Sequence, residues 1–503
     1  MLKPIVKEDG VTTRERYLAK LTSSKFFGLW SYPNVYTDEG LSKNGQGKEL
    51  CDLLVVSGDT AIIFSDKDIK FSVEKGEDVA WKRWFKKAVT KSAQQLYGAE
   101  KWLLQHSTRV FLDKQCTSKF PLELSSIKKI HLIAVTCNTA SYIKRSFNSR
   151  SGSLIQQYHM DIHKCMEQPF HIGDLYPDKR FIHVLDEVSL DIVLTEIDTI
   201  TDFIHYLDEK VRVIRNKELS WATGEEEIVC AYLRNRYSSQ ENNLGKIAPP
   251  VESDKKLGMA LCDGLWDEFK RSDIYSVTKS YFKQGSTLDT LLERFSSHIL
   301  EGNVGIAADK PFSTHEQAVR ELAIEPRMSR AKLSHAFSDK LMEVPQNKRS
   351  SRLIRSDYFE KKLYVFLFLP RDDEQSDIEY RDERQQFSNA YALVAKLIHP
   401  HITKVVLIAT DTYGTVRTSE DIYCFNFDRP LETEEKILAR KLQKEEGILK
   451  KAKTGFNRPN WLKAIKKSTR KDSPKNYKNV KPKRNEPCAC GSGKKYKKCC
   501  MPA

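Results

Sequence analysis

Apolar residues run almost unbroken from Leu50 to Val56 and again from Ala61 to Phe64, with Ser57-Gly58-Asp59-Thr60 between them. Two short apolar runs around a Gly-Asp turn predict a β-hairpin. Beyond it, Trp81, Phe85, Ala88, Leu96, Ala99 and Leu103 recur at helical spacing, which predicts one long amphipathic helix over 78–106. Upstream, 13–24 reads as an opening helix with Tyr17, Leu18 and Leu21 on its apolar side, and 26–36 as a first strand. Downstream, 129–136 and 180–194 read as strands and 199–213 as a helix, whose start Thr199-Ile200-Thr201-Asp202 has the form of a capping box. Together these elements predict an α/β domain over 1–215.

The pattern then changes. Residues 216–345 are helix-prone and polar, with Trp266, Phe269, Tyr275, Phe282, Leu288, Leu291 and Leu292 as candidate core. A second, small α/β unit is expected over 346–431: strands at 363–369, 405–410 and 422–427, and a helix over 377–398. A charged helix over 432–453, rich in Glu followed by Lys, is expected to lead away from the body into a basic linker that ends at 486. Residues 487–503 form the last module. The fold class expected is α/β, with a helical middle region and a flexible basic tail.

At 503 residues, 40% apolar and 30% charged, the chain has the composition of a soluble globular protein of several domains. No run approaches the ~20 apolar residues of a membrane span. Met1-Leu2-Lys3-Pro4 does not open a signal peptide, so a cytoplasmic protein without membrane contacts is expected. The net charge of +15 is concentrated at one end. Residues 450–503 hold 18 Lys and Arg against the two acids Asp472 and Glu486, leaving 65 basic and 66 acidic residues elsewhere. A basic tail on a near-neutral body favours polyanions through counterion release.

The hairpin carries candidate chemistry. Asp52 lies on its first strand, and Asp66-Lys67-Asp68 closes the second. Carboxylates on paired strands suit a hard cation such as Mg²⁺ or Mn²⁺, and an adjacent ammonium suits a developing phosphorane charge. This arrangement resembles the core of the PD-(D/E)XK nucleases, in which an Asp on one strand faces Glu-x-Lys on the next. The resemblance implies a restriction-endonuclease-like N-terminal domain. Asp52 matches the Asp and Lys67 the Lys, while Ser65 stands where the acid would be. Asp66 is then expected to serve as that acid if a bulge turns it inward. Asp68, in Asp68-Ile69-Lys70, is the reserve, and Glu74, Glu77 and Asp78 are helix acids that could substitute. Glu49 and Glu15 are further acids near the expected site. Gln95-Leu96-Tyr97 resembles the Gln-Leu-x-x-Tyr type of motif of RecB-like nucleases, which implies a place for Gln95 near the active site, with Lys91 beside the nucleic-acid backbone.

Three further groups deserve a reading. His159, Asp161, His163 and Cys165 alternate and would share a face if the segment were a strand, although the more economical reading is structural. Asp411 with His399 and His401 reads as ordinary strand-end and loop chemistry. Seven of the eleven cysteines are scattered and read as buried thiols, but four lie in the last sixteen residues. There, Cys488-x-Cys490, eight residues and Cys499-Cys500 offer four thiolates for tetrahedral Zn²⁺, a closed structural site. The stretch closely resembles the SEC-C motif. That resemblance implies a zinc module that docks a partner protein or the ribosome, or clamps nucleic acid through Lys494, Lys495, Lys497 and Lys498. No Gly-x-x-x-x-Gly-Lys-Ser/Thr occurs, so no P-loop accompanies it.

The function expected is a prokaryotic, Mg²⁺- or Mn²⁺-dependent nuclease, with DNA favoured, tethered to a zinc module. The alternative is an adaptor without catalysis that uses its α/β body for protein contacts.

Overall fold

The computed structural model describes residues 2–450 apart from 75, 239–243, 248–257, 305–309, 373 and 415–418, together with Lys498. The chain divides into two units, Met1–Phe456 and Asn457–Ala503.

Helix α1 (Thr13–Phe26) starts at a capping box: the Thr12 hydroxyl accepts from the Glu15 amide, and Glu15 reaches back to the Thr12 amide. Strands β1 (Ser31–Thr37), β2 (Lys48–Ser57) and β3 (Thr60–Asp66) follow as an antiparallel meander. The hairpin turn at Gly58, with φ +60°, needs the conformational freedom of glycine. From β3 the chain enters a long helical passage: Glu77–Phe85, a π-helical turn at Lys86–Thr90, then Lys91–Gln105. Such a crossover is needed because the next long strand, β5 (Lys129–Val135), pairs parallel with β3. With β4 (Val110–Phe111) the sheet runs β4-β1-β2-β3-β5, and Ile182–Leu185 adds a last parallel strand beside β5.

Alternation sorts the hairpin residues between two layers. Leu54, Val56, Ala61 and Ile63 pack with Trp81, Trp84, Phe85, Leu96 and Leu103 of the long helix in one core. Asp52 continues the Leu54–Val56 row and Ser65 the Ala61–Ile63 row, so both face that helix. Asp66 continues the Ile62–Phe64 row toward α1.

One expectation about the N-terminal region, the length of the strand at 180–194, is corrected. Residues 180–194 form a strand only over Ile182–Leu185, because Asp186 accepts the amides of Val188 and Ser189 and caps a helix over Glu187–Glu196. Asp161 likewise caps a helix at Ile162–Glu167, so His159, Asp161, His163 and Cys165 do not share a strand face. The boundary at 215 is bridged by a four-stranded sheet in which Leu219–Ala222 pairs with Ile155–Gln157 on one side and Met259–Leu261 on the other.

The second α/β unit has the order Ser350–Arg355, Lys362–Leu369, Lys404–Asp411, Glu420–Asn426, with the two central strands parallel. Helix Asp377–Ile398 covers one face. The other face shares a core with helices Thr287–Leu300, Phe312–Ala323 and Arg327–Glu343 and with Leu29 and Trp30. The charged helix does not lead away from the body. It forms at Thr433–Glu445 and packs on Asp377–Ile398, with Ala439 fully buried and Ile448 and Leu449 in the same core. Among the described residues, no helix is long and apolar enough to cross a membrane.

Candidate active site

The carboxylate of Asp52 is 5% exposed and carries three donors. The Asp66 amide reaches Oδ2 at 2.5 Å, Lys67 Nζ reaches Oδ2 at 3.2 Å, and Gln95 Nε2 reaches Oδ1 at 3.3 Å. A buried charge costs several kcal/mol unless it is paired and hydrogen-bonded, and here both oxygens are satisfied. The Ser65 hydroxyl donates to Gln95 Oε1 at 2.9 Å and lies 3.1 Å from the Ser92 hydroxyl, which fixes which end of the glutamine faces the acid. Asp52, Lys67 and Gln95 are therefore brought together, with Ser65 between them. Lys91 lies one helical turn before Gln95 and is exposed.

Asp66 sits differently from its expected place. The β2–β3 register runs from Leu53–Phe64 to Ser57–Thr60 without a shift, and β3 stays in register with β5 as far as Asp66–Val135. No bulge turns the Asp66 side chain toward Lys67. Its Oδ1 instead accepts from Nε and Nη2 of Arg14 on α1, both at 3.3 Å. Burial raises its pKa to about 6, against the opposing pull of Arg14, and the nearby Asp52 and Glu15 add to the rise. Asp68 lies beyond the end of β3, where its carboxylate accepts from Asn138 Nδ2 at 2.8 Å and from the Cys137 thiol at 3.2 Å. These donors hold it below the usual carboxylate range. Glu77, one of the helix acids, accepts from the Ser146 hydroxyl at 3.0 Å.

A residue not singled out from the sequence organises the remaining acids. Asn34, fully buried and at φ +44°, lies between the β1–β2 pairs Pro33–Leu53 and Val35–Cys51. Its Nδ2 donates to Glu49 Oε1 at 2.8 Å and to Glu15 Oε2 at 3.1 Å. Burial raises the pKa of Glu49, Asn34 opposes the rise, and Asp52 and Glu15 add to it. Glu15 goes the other way: despite burial, hydrogen bonds from Asn34 and the amides of Val11 and Thr12 keep it ionised. The signal for Asn34 was available in Pro33-Asn34, a breaker pair inside an apolar strand.

The arrangement is a buried aspartate tied to a lysine and a glutamine, with Glu49 and Glu15 held close by one amide. Among the described residues, no three His, Cys, Asp or Glu side chains converge as a ready metal cage. Asp411 and His399 are separately engaged, Asp411 by the Ser419 amide at 2.6 Å and His399 by Arg355 at 3.0 Å.

The model of the SEC-C motif matches residues 484–502. No curated protein and no solved structure matches the chain. Cys488, Cys490, Cys499 and Cys500 all fall within the matched stretch but outside the described residues, as do Lys494, Lys495 and Lys497. Lys498 is described and exposed.

Proposed function

We propose that the N-terminal region is a metal-dependent nuclease of the PD-(D/E)XK type that hydrolyses phosphodiester bonds, with DNA the favoured substrate. The observation that carries this reading is the pair made by Asp52 on β2 and Lys67 just past the end of β3, buried on the acid side and braced by Gln95 from the following helix.

Asp52 and Glu49 are the side chains that would hold Mg²⁺ or Mn²⁺. Burial is the main cause that raises the pKa of Glu49, the negative charge of Asp52 and Glu15 adds to it, and a cation between these acids would offset that added repulsion. Mg²⁺ commonly takes one or two protein carboxylates and fills its remaining sites with water and phosphate oxygens, so a complete protein cage is not required. When bound, the ion would supply Lewis-acid polarisation of the phosphate and a lowered pKa for water. Lys67, oriented by Asp52, would donate an N–H hydrogen bond to the attacking water or to a non-bridging phosphate oxygen as charge develops there. Gln95 holds the second Asp52 oxygen and so fixes the acid's rotamer. Lys91, exposed on the same helix, would contact the phosphate backbone without reading sequence.

At the other end, Cys488, Cys490, Cys499 and Cys500 would hold one structural Zn²⁺, giving a docking module for nucleic acid, a partner protein or the ribosome. A cytoplasmic, prokaryotic setting suits both parts.

The non-catalytic adaptor is the second reading. It is favoured by Ser65 at the position of the missing acid and by Arg14 occupying Asp66. The two separate on one experiment: incubation of the purified chain with DNA and RNA substrates and Mg²⁺ or Mn²⁺, beside Asp52→Asn and Lys67→Met. Cutting that both substitutions abolish supports the nuclease. Intact substrate throughout supports the adaptor.

A further inference from the structure

A cleft opens at the end of the same sheet opposite to Asp52. It has a volume of about 790 Å³ and lies between the start of β5, the strand Ile182–Leu185, the helix Ile200–Arg215 and the face of Lys91–Gln105 that carries Tyr97. Register places it well away from Asp52. Lys129 is paired with Thr60 and Val135 with Asp66, so the six residue steps from one to the other span about 20 Å of strand.

Its floor is unusual. His131 and His183 project from adjacent strands with ring centroids 6.0 Å apart, and His183 is only 1% exposed. Neither ring nitrogen of His183 has a hydrogen-bond partner, and neither does Nε2 of His131, which stops 3.7 Å from Asp208. Both rings are kept neutral by burial, with His131 lowered to about 4. A neutral imidazole offers one donor and one acceptor. Buried polar atoms are nearly always partnered, so several vacant ones lining a cleft point to a ligand that completes them.

The rim and wall indicate what kind of ligand. Five Lys and Arg side chains line the cleft with two acids, and Arg212 and Arg215 are further paired with Glu209, Glu218 and Asp174, so an anion would be drawn by the one lining cation that makes no ion pair among the described residues. Most of these cations already hold acids: Lys129 pairs with Asp208, and Arg180 with Glu100. Lys179 makes no ion pair among the described residues. Its ammonium lies 5.0 and 5.2 Å from the ring centroids of Tyr97 and Tyr176. A cation beside two tyrosine rings, in a cleft whose lining includes two imidazoles with unpartnered nitrogens, joins phosphate recognition to a surface for stacking. The volume is ample for a nucleotide.

We propose that this cleft binds a phosphorylated nucleoside, with Lys179 on the phosphate, His131 and His183 completing the polar contacts and Tyr97 beside the base. The same chemistry is offered by a free mononucleotide and by the phosphorylated end of a nucleic-acid strand. The site is independent of the hydrolytic reading, since no residue of it touches Asp52 or Lys67.

The test is calorimetric titration of the full chain, without added divalent metal, with 5′-mononucleotides, the matching nucleosides and orthophosphate. Mononucleotides should bind at least about tenfold more tightly than either fragment. Lys179→Glu, at an exposed position, should keep the wild-type melting temperature and weaken mononucleotide binding about tenfold. Asp52→Asn should titrate like wild type, which separates this cleft from the hairpin site. Competition by an oligonucleotide bearing a 5′-phosphate, and not by its 5′-hydroxyl counterpart, would assign the strand end as occupant. Displacement by mononucleotides alone would assign the free nucleotide. Mononucleotides that bind no better than orthophosphate would overturn the proposal, as would a Lys179→Glu protein that binds them like wild type.

Discussion

Lys67 Nζ lies 3.2 Å from Asp52 Oδ2, a contact between the end of β3 and the middle of β2 that fixes the ammonium over a carboxylate with almost no exposure of its own. Replacing Lys67 by Met leaves the buried acid with one amide and one glutamine. Lys67 itself is partly exposed, so the cost to folding is screened to about 1–2 kcal/mol by urea denaturation. Asp52→Asn, which removes the charge along with the need for a counter-ion, should cost less than Lys67→Met. The opposite order would mean that the pair does not hold the hairpin end together.

Gln95 links Asp52 to Ser65, with its amide nitrogen on the acid and its amide oxygen accepting from the hydroxyl. Gln95→Ala should therefore lower kcat by about ten- to a hundredfold with little change in KM, because it loosens a positioned acid and leaves substrate contacts in place. A mutant that changes KM alone would assign Gln95 to substrate binding.

Burial raises the pKa of Asp66 to about 6 in the folded chain, well above an unfolded aspartate. Between roughly pH 4 and 6 the folded state thus holds more protons than the unfolded state. This group's contribution to stability is fully present below about pH 4, is lost as pH rises toward 6, and is level above that. Subtracting the pH–stability curve of Asp66→Asn from that of wild type should show this decline, about 3 kcal/mol across the window. A difference curve that rises with pH would show that Arg14 dominates and that the acid is ionised throughout.

Much of this geometry could be read from residue order. The apolar rows at Leu54–Val56 and Ala61–Ile63 foretell which side Asp52 and Ser65 face, and the spacing of Trp81, Phe85, Leu96 and Leu103 foretells the helix that meets them. Local pattern could not reveal the Arg14–Asp66 pair, which joins residues 52 positions apart through the packing of α1 on the sheet. Nor did it reveal that Asn34 holds Glu15 and Glu49, because an asparagine inside a strand is read first as a defect. The charged helix misled for a related reason: a single narrow stripe through Ala439 is enough to dock Thr433–Glu445, though most of its residues are solvated.

That docking gives its own prediction. Ala439 is fully buried against Asp377–Ile398, so Ala439→Glu places a charge where no partner exists and should destabilise the body by about 3 kcal/mol or more. An unchanged denaturation midpoint would return the helix to the role of a free tether.

The SEC-C stretch belongs to the unit Asn457–Ala503, separate from Met1–Phe456. Elemental analysis should find about one zinc per chain, lost in Cys488→Ser and in Cys499→Ser. The melting temperature of the body is expected not to move in either variant, as it should if a bound zinc stabilises only its own module. A body that melts earlier without zinc would show that the two units are energetically coupled.

The most direct test of the central claim is cleavage of supercoiled, linear and single-stranded DNA, and of RNA, by the purified chain with Mg²⁺ or Mn²⁺. Folded Asp52→Asn and Lys67→Met proteins should be assayed alongside. The account predicts metal-dependent cutting by wild type that falls at least about a hundredfold in both variants. Cutting that survives both substitutions would contradict it by placing the chemistry elsewhere, and substrates left intact by wild type under every condition would leave the hairpin site as a binding surface.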